Sequence, residues 1–216
     1  MKNLKTSCVL LLACFAAQAN ASVITLQTAY SAAGSQTGAA AYKDVVERAL
    51  LSQGAGYGTK TISSYTNISN TNQFSGGANS NIAWKATIDF SVATAGTWTF
   101  RTGVDFGNGG ALFLDGVALT ASSTDMYWGN SYTNASQYLQ AVSQLAAGNH
   151  KLTIYGLESC CDGVQQAQFK AGSAAFATFA ANDGISPKAV PEPATLATMG
   201  LGLGLLAGLR RRGKRG

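Results

Sequence analysis

The sequence predicts a mainly β protein, an antiparallel β-sandwich with one short helix near its start. Three observations lead there. From Ile82 the apolar residues recur at every second position: Ile82, Trp84, Ala86, Ile88 and Phe90 alternate with Ala83, Lys85, Thr87, Asp89 and Ser91, the period of a half-buried strand. Asp115-Gly116 sits between the apolar runs 111–114 and 117–119, and Asp-Gly fits the two-residue turn of a β-hairpin. Short strand-like runs with turn residues between them recur through residues 22–188, a length that supports one domain with its own core.

The elements follow in order. Residues 22–28 read as a first strand and 34–38 as a flexible turn. Residues 39–51 form the one convincing helix of this region. Tyr42, Val45, Val46, Ala49 and Leu50 fall on one stripe, and Gly54 can end the helix. Residues 54–81 are loop-like, with a candidate strand near 61–68. After the strand at 82–90, residues 97–102 put Trp98 and Phe100 on one face. Strands at 151–157 and 165–171 flank Glu158-Ser-Cys-Cys-Asp-Gly163, and 174–180 is a candidate last strand.

The two ends differ in kind. Residues 1–21 read as a secretory signal: Lys2 and Lys5, then an apolar stretch, then Ala19-Asn20-Ala21 as the cleavage site. A rival is a lipoprotein box at Leu11-Leu12-Ala13-Cys14. Such a signal implies passage through the Sec translocon and cleavage by signal peptidase. At the other end stand Pro191-Glu192-Pro193, an uncharged run from Ala194 to Leu209, and Arg210, Arg211, Arg212, Lys214 and Arg215. Each proline fixes its own φ and pushes the preceding residue out of the helical region, so the tripeptide is stiff and extended. An uncharged run closed by a basic cluster reads as a transmembrane helix with a cytoplasmic end. Its span of about 24 Å is short of the roughly 30 Å hydrocarbon core. Gly200, Gly204 and Gly208 share one ridge of it.

Removing these ends changes the charge argument. The chain is +5 overall, but seven of its fifteen Lys and Arg lie in the two terminal segments. Residues 22–188 hold eight basic and nine acidic residues, a net charge of −1. There is no basic patch with interleaved aromatics, so nucleic acid is excluded as a partner.

The order Pro-Glu-Pro, apolar helix, arginine cluster resembles the PEP-CTERM sorting signal of Gram-negative bacteria. The resemblance implies an exported protein held for a time in the inner membrane. It would then be processed by an exosortase, a membrane enzyme of transpeptidase type, and delivered to the cell surface or outside the cell. Cys160-Cys161-Asp162-Gly163 before such a tail resembles the CCXG family of PEP-CTERM proteins, which implies shared sorting and no chemistry. In the middle, Trp98 to Asp105, Ala111 to Gly116 and Leu145 to Tyr155 look like the PA14 β-sandwich, a jelly-roll type of fold whose members often bind carbohydrate. Some adhesin-type members hold Ca²⁺ through two adjacent aspartates. Here Asp105 is followed by Phe106, so that pair is missing and no cofactor is expected, with Ca²⁺ the one alternative.

The remaining candidates are few. Asp105, Asn108 and Asp115 are a candidate cation loop, although turn-forming Asp and Asn explain them equally. Tyr127, Trp128 and Tyr132 lie in a Gly-, Asn- and Ser-rich stretch, where exposed aromatics would make a ligand platform. Cys160 and Cys161 are the only cysteines after residue 21. They can close a turn as a vicinal disulfide or exchange with a partner chain. His150 is the single histidine, and no nucleophile or carboxylate is marked beside it by spacing. Three readings follow: a non-enzymatic, exosortase-processed surface or matrix protein associated with exopolysaccharide; a carbohydrate-binding module; and a secreted hydrolase or thiol enzyme, for which no catalytic motif is present.

Overall fold

A computed structural model describes residues 22–185. The signal segment 1–21 lies outside them. So does the sorting tail 190–216, with Pro191, Glu192, Pro193, the glycines 200, 204 and 208, and the arginines 210–212. In chain order the elements are β1 (Val23–Tyr30), α1 (Ala39–Ala49), β2 (Thr59–Ile62), β3 (Thr66–Ile68), α2 (Asn70–Gln73), β4 (Ser80–Val92), β5 (Gly96–Gly103), β6 (Asp105–Phe106), β7 (Gly110–Leu114), β8 (Val117–Ser122), β9 (Met126–Tyr127), β10 (Tyr138–Leu145), β11 (Gly148–Cys160), β12 (Gln165–Ala171) and β13 (Ala177–Thr178).

Two antiparallel sheets face each other. One has six strands in the order β2-β1-β4-β11-β7-β8. The other has the order β10-β5-β12-β13, with β3 also paired to β12. β6 and β9 form a small ribbon of their own. The protein is therefore the mainly β, antiparallel sandwich that the period-two pattern predicts. The even-numbered residues of β4 from Ile82 to Val92 all enter the main core. They meet Trp98, Phe100, Phe169 and Phe179 from the opposite sheet; Phe90 lies 5.8 Å from Phe100 and Phe169 4.7 Å from Phe179 between ring centroids. Burial of each such ring stabilises the fold by about 1.5–3 kcal/mol.

β11 is buried on both faces from Leu152 to Glu158. Its Leu152, Ile154, Gly156 and Glu158 share the face turned to the sandwich core. Tyr155 and Leu157 face the other way, where α1 lies across the sheet with Tyr42 and Val46 buried against Ala83, Ala111 and Phe113. Helix α1 is also tied down by polar contacts. The Tyr155 hydroxyl donates to Glu47 (2.7 Å), and Glu47 pairs with Lys85 (2.8 Å). Among the described residues no helix covers the outer face of the five-stranded sheet in the same way.

Some expectations need correction. Helix α1 ends at Ala49, five residues before Gly54. The segment 61–68 is not one strand but two, and they join different sheets: β2 pairs with β1, and β3 with β12. Tyr65, between them, crosses the core. The Trp84 indole donates to its hydroxyl (3.0 Å), and that hydroxyl donates to Gln165 (3.1 Å). Residues 138–145 form a full strand not read from the sequence. Its outward Val142 is 62% exposed, which breaks the apolar alternation. The last strand shrinks to Ala177–Thr178. The Asp115-Gly116 turn is as expected, with φ of 51° and 82° at its two residues, the left-handed pair a type I′ turn requires.

Candidate functional site

Where the chain leaves β11 it must cross from one sheet to the other to begin β12. Residues 161–164 make that crossing. Cys160 and Cys161 are both exposed and joined by a disulfide across a cis peptide, with Cα atoms 3.1 Å apart. Asp162 turns back to the start of α2. Its carboxylate accepts from the N–H groups of Asn70 (3.0 Å) and Thr71 (2.7 Å) and from the Thr71 hydroxyl (2.9 Å). These are donors that a helix start leaves unpaired. Gly163 is needed because a Cβ there would run into the Asp105 carboxylate. Each residue of the Cys-Cys-Asp-Gly segment thus has a place in the corner.

Two carboxylates are buried beside this corner. Glu158 ends the core-facing row of β11 and is 3% exposed. Its oxygens accept from Gly107 N–H and Cys160 N–H, both at 2.6 Å. Burial pushes its pKa up to about 7, against the pull of those two amides and with further upward push from Asp105 and Asp125. Asp105, in β6, is pushed up to about 6 by burial, opposed by the Gly163 amide and aided by the charges of Asp125 and Asp162. The corner is therefore an acidic end of the sandwich whose two inner carboxylates take up protons near neutral pH.

The candidate cation loop does not assemble. Asp105 lies at this corner, but Asp115 sits at the opposite end of β7 and β11, accepting from Lys151 N–H (2.7 Å) and lying 2.7 Å from His150 Nδ1. Asn108 is committed to structure: its amide donates to the Ala33 carbonyl (3.1 Å) and its carbonyl accepts from the Tyr42 hydroxyl (2.7 Å). Among the described residues no three of His, Cys, Asp and Glu converge at metal-ligand spacing. Each Glu158 oxygen accepts from one backbone amide. His150 stands ten residues from Cys160 along one extended strand, roughly 33 Å away, too far to serve the thiols as a base.

The aromatic stretch divides. Tyr127 is 67% exposed, but Trp128 is 5% exposed and packs flat on Gly103, where any Cβ would strike its indole. Tyr132 is half-buried and fixed: its hydroxyl accepts from Gly103 N–H (3.2 Å) and donates to the Gln166 carbonyl (2.9 Å). Trp128 and Tyr138 flank it at 5.5 and 5.2 Å. A residue not singled out in the sequence completes the group. Arg101, facing outward from β5, holds its guanidinium 3.8 Å from the Tyr132 ring centroid and 3.6 Å from that of Phe176. Its Nε and Nη2 donate to Gln168 at 2.8 and 2.5 Å. The signal that could have found it is the alternation of 97–102, which puts Arg101 on the face opposite Trp98 and Phe100.

The architecture is similar to several solved structures. A PA14 sugar-binding domain from an RTX adhesin superposes with a TM-score of 0.52 at 10% identity, over 78% of this chain and 99% of that one. The PA14 domain of the antifreeze protein MpAFP gives 0.51 at 10% identity, over 79% and 92%. An anti-sigma factor domain-containing protein gives 0.52 at 10% identity, over 82% of this chain and half of its own length. The chain thus carries a PA14-like β-sandwich. Residues 189–213 match the PEP-CTERM protein-sorting motif, so the sandwich is joined to the sorting tail of an exported protein. The comparison with curated proteins yields no match.

Proposed function

We propose that this is an exported, non-enzymatic surface or matrix protein. Its tail holds it in the inner membrane until an exosortase processes it, and the PA14-like sandwich then associates with extracellular polysaccharide. The observation that carries this reading is the sorting motif at 189–213, placed after a sandwich that has no convergent catalytic set among its described residues. The carbohydrate-binding reading is favoured by the exposed Tyr127 and by the ring-stacked Arg101 on the outer sheet face, and it is the molecular form the polysaccharide association would take. Conversely, the separation of His150 from Cys160 argues against a thiol enzyme.

The tail supplies the test. Gly200, Gly204 and Gly208 are spaced i, i+4 and i+8 in the sequence, a spacing that on a helix would let another transmembrane helix approach closely, and we assign these glycines to docking on the processing enzyme. Replacing all three with leucine should preserve membrane insertion and leave unprocessed precursor in the inner membrane, read by mass spectrometry of the protein's C-terminus in each cell fraction. Replacing Leu203 and Leu206 with isoleucine should change little. Wild-type processing of the triple variant would refute the docking role. Wild-type fractionation after deletion of residues 190–216 would refute sorting by the tail.

A further inference from the structure

The strands of the five-stranded sheet contain no aspartate or glutamate at all, in a domain whose net charge is −1. Its outer face carries two cations, Arg101 and Lys170, and four glutamines, 140, 144, 166 and 168. The pairing register sets them side by side: Gln140, Arg101 and Gln168 form one row across β10, β5 and β12, and Lys170 lies opposite Thr99 in the next. Among the described residues neither cation has a carboxylate partner. Arg101 is instead clamped between the Tyr132 and Phe176 rings, and Lys170 lies 5.0 Å from the Phe176 centroid. The rings and Gln168, which takes the Nε and Nη2 donors, keep the guanidinium plane fixed, so a ligand carboxylate would be met by the remaining Nη1 side of a pre-oriented cation. The glutamine amides around it can both donate to and accept from hydroxyl groups.

We infer that this outer sheet face binds an acidic polysaccharide, one whose sugars carry carboxylates among their hydroxyls. The inference rests on the polysaccharide-associated reading above and names the face and the ligand class. Charge complementarity selects the occupant. The cations lie on a carboxylate-free sheet, whereas Asp105, Asp125, Asp162 and Glu158 gather at the corner, so an anionic chain is drawn to the face and repelled from the corner. The other sheet offers no comparable surface, because α1 covers much of it.

Oligogalacturonate and a neutral dextran oligosaccharide serve as probes, titrated calorimetrically into the full chain in neutral detergent. The expected result is binding of oligogalacturonate that weakens as salt rises from about 20 to about 500 mM. Arg101→Gln should weaken it by about tenfold or more, the size of a lost charge-assisted contact. Lys170→Gln should weaken it by a smaller factor, with circular dichroism confirming that this variant, changed at a partly exposed side chain, is folded. Equal binding of both probes, unmoved by either substitution, would overturn the face assignment and leave the carbohydrate-binding reading standing. Binding of neither probe would overturn both. A dimer in sedimentation velocity that Val142→Lys dissolves would place a second copy of the chain on the face and overturn the inference.

Discussion

Asp105 and Glu158 are carboxylates that the fold makes hard to ionise, and their effect on stability has a definite sign. Both are held above their ordinary values, Asp105 at about 6 and Glu158 at about 7. The folded state therefore binds these protons more tightly than the unfolded chain does. Their contribution is fully present at low pH and is lost as pH rises through the folded values. His150 acts in the same direction. Burial pulls it down, but the Asp115 carboxylate and the Ala146 carbonyl raise it further, so its net shift is upward. Glu47 opposes them at lower pH. Burial raises it, Lys85 and Tyr155 lower it more, and its contribution is lost as pH falls below the usual carboxylate range. Thermal unfolding should therefore show a higher Tm near pH 5 than near pH 8. Asp105→Asn, which removes the charge and keeps an acceptor for Gly163, should raise Tm at pH 8 by a few degrees and flatten the pH profile. A profile that rises monotonically from pH 5 to 8 would show that the two carboxylates do not control it. At the same corner, Gly163→Ala forces a methyl group against Asp105 and should cost about 1–3 kcal/mol in urea unfolding.

At the scale of elements, the crossing points between sheets hold the structure together. The Trp84–Tyr65–Gln165 relay runs from β4 through the β2–β3 connection to β12, entirely buried. Tyr65→Phe leaves a buried indole N–H and a buried amide oxygen without partners. That should cost about 2–3 kcal/mol, beyond the loss from Tyr42→Phe, which removes two hydroxyl bonds, one donated to the Asn108 carbonyl and one accepted from the Gln36 N–H, but leaves partners that are only partly buried and should cost about 1–2 kcal/mol. Equal midpoints for the two variants in urea would show that the full burial of the relay adds nothing to the cost of breaking it. Helix α1 belongs to the same level. It closes one outer face and so explains why β11 carries apolar residues on both sides, as a strand covered on both faces must.

For the whole molecule, the two ends and the sandwich are separable in charge and in kind. Residues 22–188, made alone, should fold as a β-rich monomer with a spectrum dominated by strand signal, because the core of both sheets lies within residues 22–185. A spectrum of coil or helix would contradict this. Among the described residues no helix is long and apolar enough to cross a membrane. The motif that marks the protein for export and sorting lies in the tail, at residues 189–213. The two layers of the sandwich are unequal: one is covered by helix α1, while the strands of the other contain no aspartate or glutamate and carry Arg101 and Lys170 beneath the rings of Tyr132 and Phe176.

Local sequence was enough for what depends on local physics. The period of two in 82–90 announced β4 because one face of that strand is buried and the other half-exposed. Asp115-Gly116 announced the hairpin because few dipeptides accept two positive φ values in succession. The tail was legible because its three parts stand in linear order. What pairs with what was not legible. The segment 61–68 had strand character, but its division between two sheets follows from where Tyr65 meets Trp84 and Gln165, contacts 19 and 100 residues away. β10 was missed because Val142 points outward. Asp105, Asn108 and Asp115 looked like one loop in the sequence, yet β7 carries Asp115 to the far end of the sandwich and leaves Asp105 beside Glu158, a residue 53 positions later. Arg101 gained its place from the rings of Tyr132 and Phe176, brought over it from loops on either side. A strand's face is written in its own residues, but its neighbours are chosen by the burial of the whole chain, and only the tertiary structure decides those.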